Sequence, residues 1–362
     1  MADSNGPPAQ VAGKSGRRRA STRPTIMDVA RECGVAPSTV SRAFSHPGRV
    51  NPETAERIRQ TAQRMGYRPN PIAKALPSGR TLMLALLVPD VTNPFFSEMI
   101  RGAERQAGAA GYTLVLADTD ESPEMEAIHI DRLSRMVDGV IVGTSRLPNE
   151  QIAGFATRYP LVLVNREVGD VPSVAIDTPH GMTQAAEHLA SLGHRSVAYL
   201  AGPRASWADR ARWRALQAAG QRLGLAMTQL GPFAPTVAGG TAAAEAVVVS
   251  GATAVIAYND LLAIGTSQRL FARGLHVPGD ISVVGCDDVF GAEICHPALT
   301  TLSARIQDAG RAAVSLLLES LAPARRHARR RVVLPTTLVV RESTGSPPPE
   351  PSSHPTRAAG RR

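Results

Sequence analysis

Two short amphipathic stretches between Ile26 and Phe44, parted by a glycine corner, constrain this chain more than any other feature. In the first, Ile26, Val29, Ala30 and Cys33 recur at i, i+3, i+4 and i+7 and therefore share one helical face. Thr25 is placed to cap that helix, with Asp28 three residues on. Gly34 ends it, because glycine accepts the left-handed conformation that follows a helix, and Val35 can plug the corner. Pro37 suits the first position of the second helix, about 37–44, where its missing N–H costs nothing. That helix turns Val40 and Phe44 inward and Ser38, Ser41 and Arg42 outward. Short hydroxyl residues and one arginine on an exposed helix suit the major groove of DNA, where Arg can grip guanine with two hydrogen bonds. A third helix, about 52–65, follows Asn51 as cap and carries the stripe Ala55, Ile58, Ala62 and Met65. Periodicity alone would also fit any small three-helix domain.

The charge is divided unevenly. Residues 1–80 hold 14 Lys/Arg against 5 Asp/Glu, whereas residues 81–362 hold 26 of each. All the excess positive charge lies at the N-terminal end, the footprint of a phosphate-binding module on a neutral body. No apolar run reaches the eighteen residues that would suggest a membrane helix, and the basic N-terminus lacks the apolar core of a signal peptide. The chain is therefore expected in the cytoplasm, at the nucleoid. Cys33, Cys286 and Cys295 have neither metal nor disulfide spacing, and no cofactor motif is present.

Four segments together resemble the N-terminal signature of the LacI/GalR family of transcription regulators. They are Thr25-Ile-Met-Asp-Val-Ala, Gly34-Val, Thr39-Val-Ser-Arg-Ala and Gly66-Tyr-Arg-Pro-Asn-Pro-Ile-Ala-Lys-Ala-Leu76. The resemblance implies that Pro37, Ser38 and Arg42 read base edges. Thr25, Thr39, Ser41, Tyr67, Asn70 and Lys74 complete the implied DNA-contacting set. It also implies a hinge helix over residues 70–76, with Leu76 as an apolar wedge in the minor groove. Two departures stand out. Ala36 replaces the family's usual capping Ser, and Pro77 follows Leu76 where a basic residue is common.

Beyond a linker at residues 77–81, short apolar runs alternate with amphipathic helices, the sign of doubly wound α/β layers. Strands are expected at about 82–88, 112–117, 139–142, 161–164, 173–176, 197–201, 254–258 and 282–285. One more is expected near Phe233, with a final strand pair around 331–340. The landmarks Val88-Pro-Asp-Val-Thr-Asn-Pro-Phe-Phe, Asp138-Gly-Val-Ile-Val, Gly193-His-Arg, Tyr258-Asn-Asp, Val284-Gly-Cys-Asp-Asp and Pro297-Ala-Leu-Thr-Thr resemble the family's effector domain, of periplasmic-binding-protein type. The expected class is α/β: a three-helix helix-turn-helix head (24–69), a hinge helix and linker (70–80) and a two-subdomain effector and dimerisation domain (81–343). The first subdomain is assigned 81–177 and 302–325, the second 178–301 and 326–343. Disordered ends are expected at 1–23 and 344–362.

Ligands of open α/β sheets sit beyond the carboxyl ends of strands. The candidates there, by resemblance to effector-binding positions, are Phe95, Phe96, Asn165, Arg166, Arg212, Phe233, Asn259, Asp260 and Asp287, with Trp207 and Arg210 in the same loop as Arg212. Arginine, carboxylate, amide and aromatic groups suit a small polar ligand with flat faces, a sugar or sugar derivative first and a purine or nucleoside next. No nucleophile elbow, phosphate loop or metal cluster is present, so no enzyme is expected. Asp287 and Asp288 are adjacent at a strand end and point to opposite sides, which disqualifies them as an acid–base pair. His188 and His194 read as isolated packing or surface residues. The implied protein is a repressor, a homodimer or tetramer on a near-palindromic operator, switched by a small molecule, with no membrane partner. An activator or an effector-independent regulator is the alternative, and a sugar-modifying enzyme fused to a DNA-binding head is the remote one.

Overall fold

The structure, a computed structural model, describes residues 24–68, 80–322 and 330–349. The chain forms two compact units that divide between Thr81 and Leu82. The hinge positions Asn70, Lys74 and Leu76, the leader and the end of the tail lie outside the described residues.

The first unit has three helices, α1 (Ile26–Cys33), α2 (Pro37–Ser45) and α3 (Pro52–Met65). Gly34 ends α1 at φ 64°, and its N–H reaches back to the Ala30 and Arg31 carbonyls. The Val35 N–H also reaches Ala30, at 3.0 Å, which fixes the corner before α2. Asn51 caps α3 by accepting from the Glu53 and Thr54 amides at 3.0 and 3.3 Å. Val29, Ala30, Val40, Ala43, Ile58 and Ala62 close the core. Phe44, expected to point inward, packs against this core half-buried. Ala43 takes the core position, and the Phe44 ring leans on Tyr67 with centroids 6.1 Å apart.

In the second unit, six parallel strands run β11-β5-β4-β3-β1-β2, and four more run β7-β6-β8-β9. The first sheet comprises β1 (Met83–Val88), β2 (Thr113–Asp118), β3 (Gly139–Gly143), β4 (Leu161–Val164), β5 (Ser173–Ile176) and β11 (Arg331–Leu334). The second holds β6 (Ser196–Leu200), β7 (Ala226–Leu230), β8 (Ala254–Ala257) and β9 (Ser282–Val284). An antiparallel pair, β10 (Thr301–Ala304) with β12 (Thr336–Val339), lies where the chain passes between the halves. The helices are α4 (Pro94–Ala109), α5 (Pro123–Leu133), α6 (Asn149–Arg158), α7 (Thr178–Ser191), α8 (Trp207–Leu223), α9 (Val237–Ser250), α10 (Asp260–Ala272), α11 (Phe290–Ile294) and α12 (Ile306–Leu321). Among the described residues no helix is long and apolar enough to cross a membrane.

Four expectations need correction. The strands at 331–340 do not pair with each other: β11 joins the first sheet beside β5, and only β12 turns to β10. Residues 331–334 therefore belong with the first half rather than the second. The strand expected near Phe233 is β7, which ends three residues earlier, and Phe233 packs on the second half's core from the loop beyond. Helix α6 was not foreseen. Residues 344–349 are placed against the body, not loose. The Thr344 hydroxyl meets His188 Nε2 at 2.9 Å, and the Gly345 carbonyl accepts from His194 Nε2 at 3.0 Å. The two histidines, read as isolated, thus anchor one segment.

Helices α4 and α12 pack backbone to backbone through Gly102 and Gly310. A Cβ on Gly310 would collide with the Met99 carbonyl oxygen, and one on Gly102 with that of Gln307. Because α4 carries Phe95 and Phe96, this packing sets one wall of the cleft described below. We expect Gly310→Ala to lower stability by about 1–3 kcal/mol, the usual range for overpacking. Equilibrium urea unfolding of both proteins measures it, and an unchanged midpoint would show that the helices can part freely.

Candidate functional site

The head presents α2 to solvent. Ser38, Ser41 and Arg42 are exposed, while Pro37 and Thr39 are half-buried. Val40 and Ala43, on the opposite side, hold the helix to the core. No side chain caps its start, as Ala36 foretold, so the first-turn amides of α2 lack an internal side-chain acceptor. Three of the head's four described carboxylates are drawn into its own pairs: Asp28 with Arg31 at 3.3 Å, Glu56 with Arg59 at 3.2 Å and Glu32 with Arg64 at 3.3 Å. Among the described residues none of them pairs with Arg42. The Thr25 hydroxyl donates to Asp28 at 2.7 Å, so it serves α1 first. Tyr67 is partly committed to Phe44, and burial raises its phenol.

Between the halves of the second unit lies a cleft whose walls are strand ends and helix starts, as doubly wound sheets dictate. From the first half come Phe95 and Phe96, then Glu121 after β2, Thr144 and Arg146 after β3, and Asn165 after β4. The second half supplies Arg212 from α8, Tyr258 and Asn259 after β8, and Asp287 after β9. Asn93 caps α4 through the Phe95 N–H at 3.1 Å and so presents the two phenyl rings edge to face, 5.0 Å apart. Around these residues about 20 Å³ is open, little more than a water, and beyond Phe95 and Asp287 a wider opening of about 560 Å³ lies between Glu98 and Phe290. Backbone strain concentrates here: Glu121, Thr144, Asn165 and Asp287 hold φ values of 56°, 47°, 54° and 127°. Non-glycine residues keep such values only where the surroundings enforce them, and such outliers cluster at ligand clamps.

Two guanidiniums dominate the polar chemistry. Arg212 is 3% exposed and donates to the Tyr258 carbonyl while lying 4.7 Å from the centre of its ring. Its Nη2 stands 4.0 Å from Asp287, and its Nε has no hydrogen-bond partner among the described residues. Burial pushes the Asp287 carboxyl up to about 8, against the pull of Arg212. Arg146 is gripped from two directions: Glu121 takes its Nε and Nη2 at 2.6 and 3.0 Å, and the Thr144 carbonyl accepts from Nη1 at 2.7 Å.

Of the residues singled out by sequence, Phe95, Phe96, Asn165, Arg212, Asn259 and Asp287 meet at this cleft. The others do not line it. Asp260 is fully buried and spends both carboxylate oxygens on structure, accepting from the Thr301 hydroxyl and the Val289 N–H. Burial pushes its carboxyl up to about 6, against those two bonds. Arg210 is exposed and donates to the Arg204 carbonyl. Arg166 turns toward the Leu147 carbonyl and Asn149 at 3.0 and 2.7 Å. Trp207 opens α8 half-buried, and Phe233 belongs to the second core. Sequence reading missed Glu121, Thr144, Arg146 and Tyr258. Each lies just beyond a strand, so the rule that found Asn165 and Asp287 would have found them. It also missed Asp209, which accepts from the Tyr199 hydroxyl and the Gly202 N–H, both at 2.8 Å, and so fixes the start of the helix carrying Arg212. Its only signal was the Ser206-to-Asp209 spacing of a helix start.

Comparison with known proteins agrees with this architecture. Residues 25–70 match the model for bacterial regulatory proteins of the lacI family, and residues 186–344 match the periplasmic binding protein-like domain. The HTH-type transcriptional regulator DegA of Bacillus subtilis is 31% identical over 330 residues, 88% of this chain and 98% of the relative. A crystal structure of the lac repressor dimer bound to operator and the anti-inducer ONPF superposes with a TM-score of 0.79 at 25% identity. That match covers 90% of this chain and 100% of that one. The ribose-bound structure of a LacI family transcriptional regulator from Enterococcus faecium covers 73% of this chain and 98% of its own, with a TM-score of 0.64 at 29% identity. With a helix-turn-helix head and a periplasmic-binding-protein-like body, the chain belongs to the lacI family of DNA-binding transcription regulators and is not an enzyme.

Proposed function

We propose that this regulator is a repressor that binds a near-palindromic operator as a homodimer in the cytoplasm, at the nucleoid, and is switched by a small polar effector held in the cleft. The observation that carries the reading is the cleft itself. Arg212 and Asp287 face each other there beside the rings of Phe95, Phe96 and Tyr258, on backbone strained at several strand ends. Aromatic faces with carboxylate, amide and guanidinium groups suit a sugar or sugar derivative, with a purine or nucleoside next. The ribose carried by the Enterococcus faecium regulator supports that class.

Dimerisation is supported by an exposed apolar surface on α10 and α11. Phe271, Phe290 and Ile294 are 72%, 77% and 57% exposed, unusual for large apolar side chains. A second copy of the same surface would cover them by two-fold symmetry and place two heads on two half-sites. The resemblance assigns base reading to Pro37, Ser38 and Arg42 and the minor-groove wedge to Leu76. The effector acts by binding one relation of the two halves better than the other, which shifts the spacing of the hinges.

Three outcomes test this reading. Arg42→Ala should cost about 1–3 kcal/mol of operator affinity and relax one base position, measured by titrating matched and substituted operators. An equal loss on random DNA would remove the base-reading role. Phe290→Asp should convert the dimer to a monomer in sedimentation, and an unchanged mass would move the interface elsewhere. Footprinting with and without a bound effector should show a change of occupancy that Asp287→Ala abolishes. If no sugar, purine or nucleoside changes occupancy, the protein is an effector-independent regulator.

A further inference from the structure

Beyond β12, residues 341–345 run as a strap along the outer edge of β9, from the loop beside the cleft to the far end of the second half. At the near end Arg341 donates to Asp288 at 2.7 Å and to the Leu299 carbonyl at 2.8 Å. In the middle the Val283 N–H donates to the Ser343 carbonyl at 2.8 Å, and the Ser343 hydroxyl donates to the Val283 carbonyl at 2.6 Å. At the far end the Gly345 N–H donates to the Ser282 hydroxyl oxygen at 3.0 Å. Two imidazoles hold this end. His188 meets the Thr344 hydroxyl at 2.9 Å, and His194 meets the Gly345 carbonyl at 3.0 Å.

A carbonyl can only accept, so His194 Nε2 carries its proton, and in the neutral ring Nδ1 accepts from the Thr253 hydroxyl at 2.8 Å. His194 is 0% exposed. A second proton, on Nδ1, need not break a hydrogen bond, because Thr253 can turn its own proton to the Ser196 carbonyl at 3.3 Å. What destabilises is the charge. Among the described residues no carboxylate hydrogen-bonds either imidazole. Those nearest in the chain are engaged elsewhere: Glu187 with Arg222 at 2.8 Å, Asp280 with the His276 N–H at 2.7 Å and Glu342 with the Ala298 N–H at 3.3 Å. The other ionisable neighbours are basic: the two histidines face each other, and Arg195 donates to the His194 carbonyl at 3.0 Å. An enclosed charge without a counter-charge opposes folding strongly.

Burial holds both imidazoles below the ordinary histidine value of about 6.5; at His194 the Gly345 carbonyl opposes that shift and His188 adds to it. In the folded chain these groups bind protons less readily than in the unfolded one. They therefore leave the fold intact above about pH 6.5 and weaken it as pH falls below that value. We propose that the strap is a proton-sensitive latch: charging His188 and His194 releases residues 343–345 from the second half and, with them, the hold of Arg341 on the Asp288 loop beside the cleft. Acid thus loosens the loop that carries Asp287, whatever molecule the cleft takes.

The test is hydrogen exchange of the full chain at about pH 7.5 and about pH 5.5, the range over which histidine changes charge, corrected for intrinsic exchange at each pH. In the wild type the amides of 343–345 and of 286–288 should lose protection on the order of tenfold or more in acid, while those of β1 hold theirs. His194→Gln keeps a donor for the Gly345 carbonyl but takes no charge, so its strap should stay protected at both pH values. If that variant does not fold, His188→Gln, at the half-buried position, should remove part of the acid response. Equal protection of the wild-type strap at both pH values would overturn the latch. So would an acid response that the folded glutamine variant retains in full. Loss confined to 343–345, with 286–288 unchanged, would overturn the link from the strap to the cleft loop.

Discussion

A guanidinium cannot enter a protein interior without partners, and the body of this regulator is arranged around that requirement. Arg212 leaves α8 and finds the Tyr258 carbonyl and ring, with Asp287 just beyond. Each partner stands at the end of a different strand, so the guanidinium fixes how β8 and β9 terminate relative to α8. Asp209 secures the arrangement from behind by tying α8 to Tyr199 and the Gly202 backbone. On the facing wall Arg146 does the equivalent for β2 and β3 through Glu121 and the Thr144 carbonyl. Each half therefore has its own charged brace. Across the cleft Arg146 also meets Tyr258 of the other half, so the two braces touch at one residue.

The crossings tie the two halves together through buried contacts. Asp260, buried at the start of α10, accepts from Thr301 in β10 and from Val289 ahead of α11. Gly285 passes so close to Asp260 that a Cβ there would strike its carboxylate. A second tie joins Asp288 to Arg341 at 2.7 Å beyond β12. The chain leaving β10 then enters α12, whose Gly310 lies against α4, the helix that opens with Phe95 and Phe96. Short backbone contacts thus connect the surroundings of Asp287 to the helix pair of the first half. Closely packed elements of this kind move as bodies rather than deform.

Much of the fold was legible because its punctuation is chemical. Thr25, Gly34, Asn51 and Gly66 mark the ends of the head helices, and each mark has a backbone reason. The buried strands read as apolar runs because both faces of a parallel sheet are covered. Helix α6 was lost because Pro148 at its N-cap offers no side-chain acceptor. The strand pair at 331–340 misled because nearness in sequence suggests a hairpin. Pro335 stands instead between two strands bound for different sheets. The Glu121–Arg146 brace was invisible for a related reason. The two residues are neighbours only because β1 lies between β2 and β3, and sheet order is not written in any local pattern. Residues matched by resemblance alone divided on a similar line. Asn165 and Asp287 sit at strand ends with strained backbone and face the cleft. Asp260 and Phe233 satisfy internal packing first.

The division of charge limits how effector and operator can be coupled. Residues 81–362 carry equal numbers of basic and acidic side chains, whereas residues 1–80 carry all of the chain's excess positive charge. Phosphate attraction therefore belongs to the head, its leader and the hinge, and the body adds no net charge to it. Charges separated by more than a screening length interact weakly in salt, so charge in the body is a poor means of altering phosphate attraction at the head. Control has to be geometric. The buried arginines, which fix how the strand ends of the cleft stand, are the part of the body on which such control would have to act.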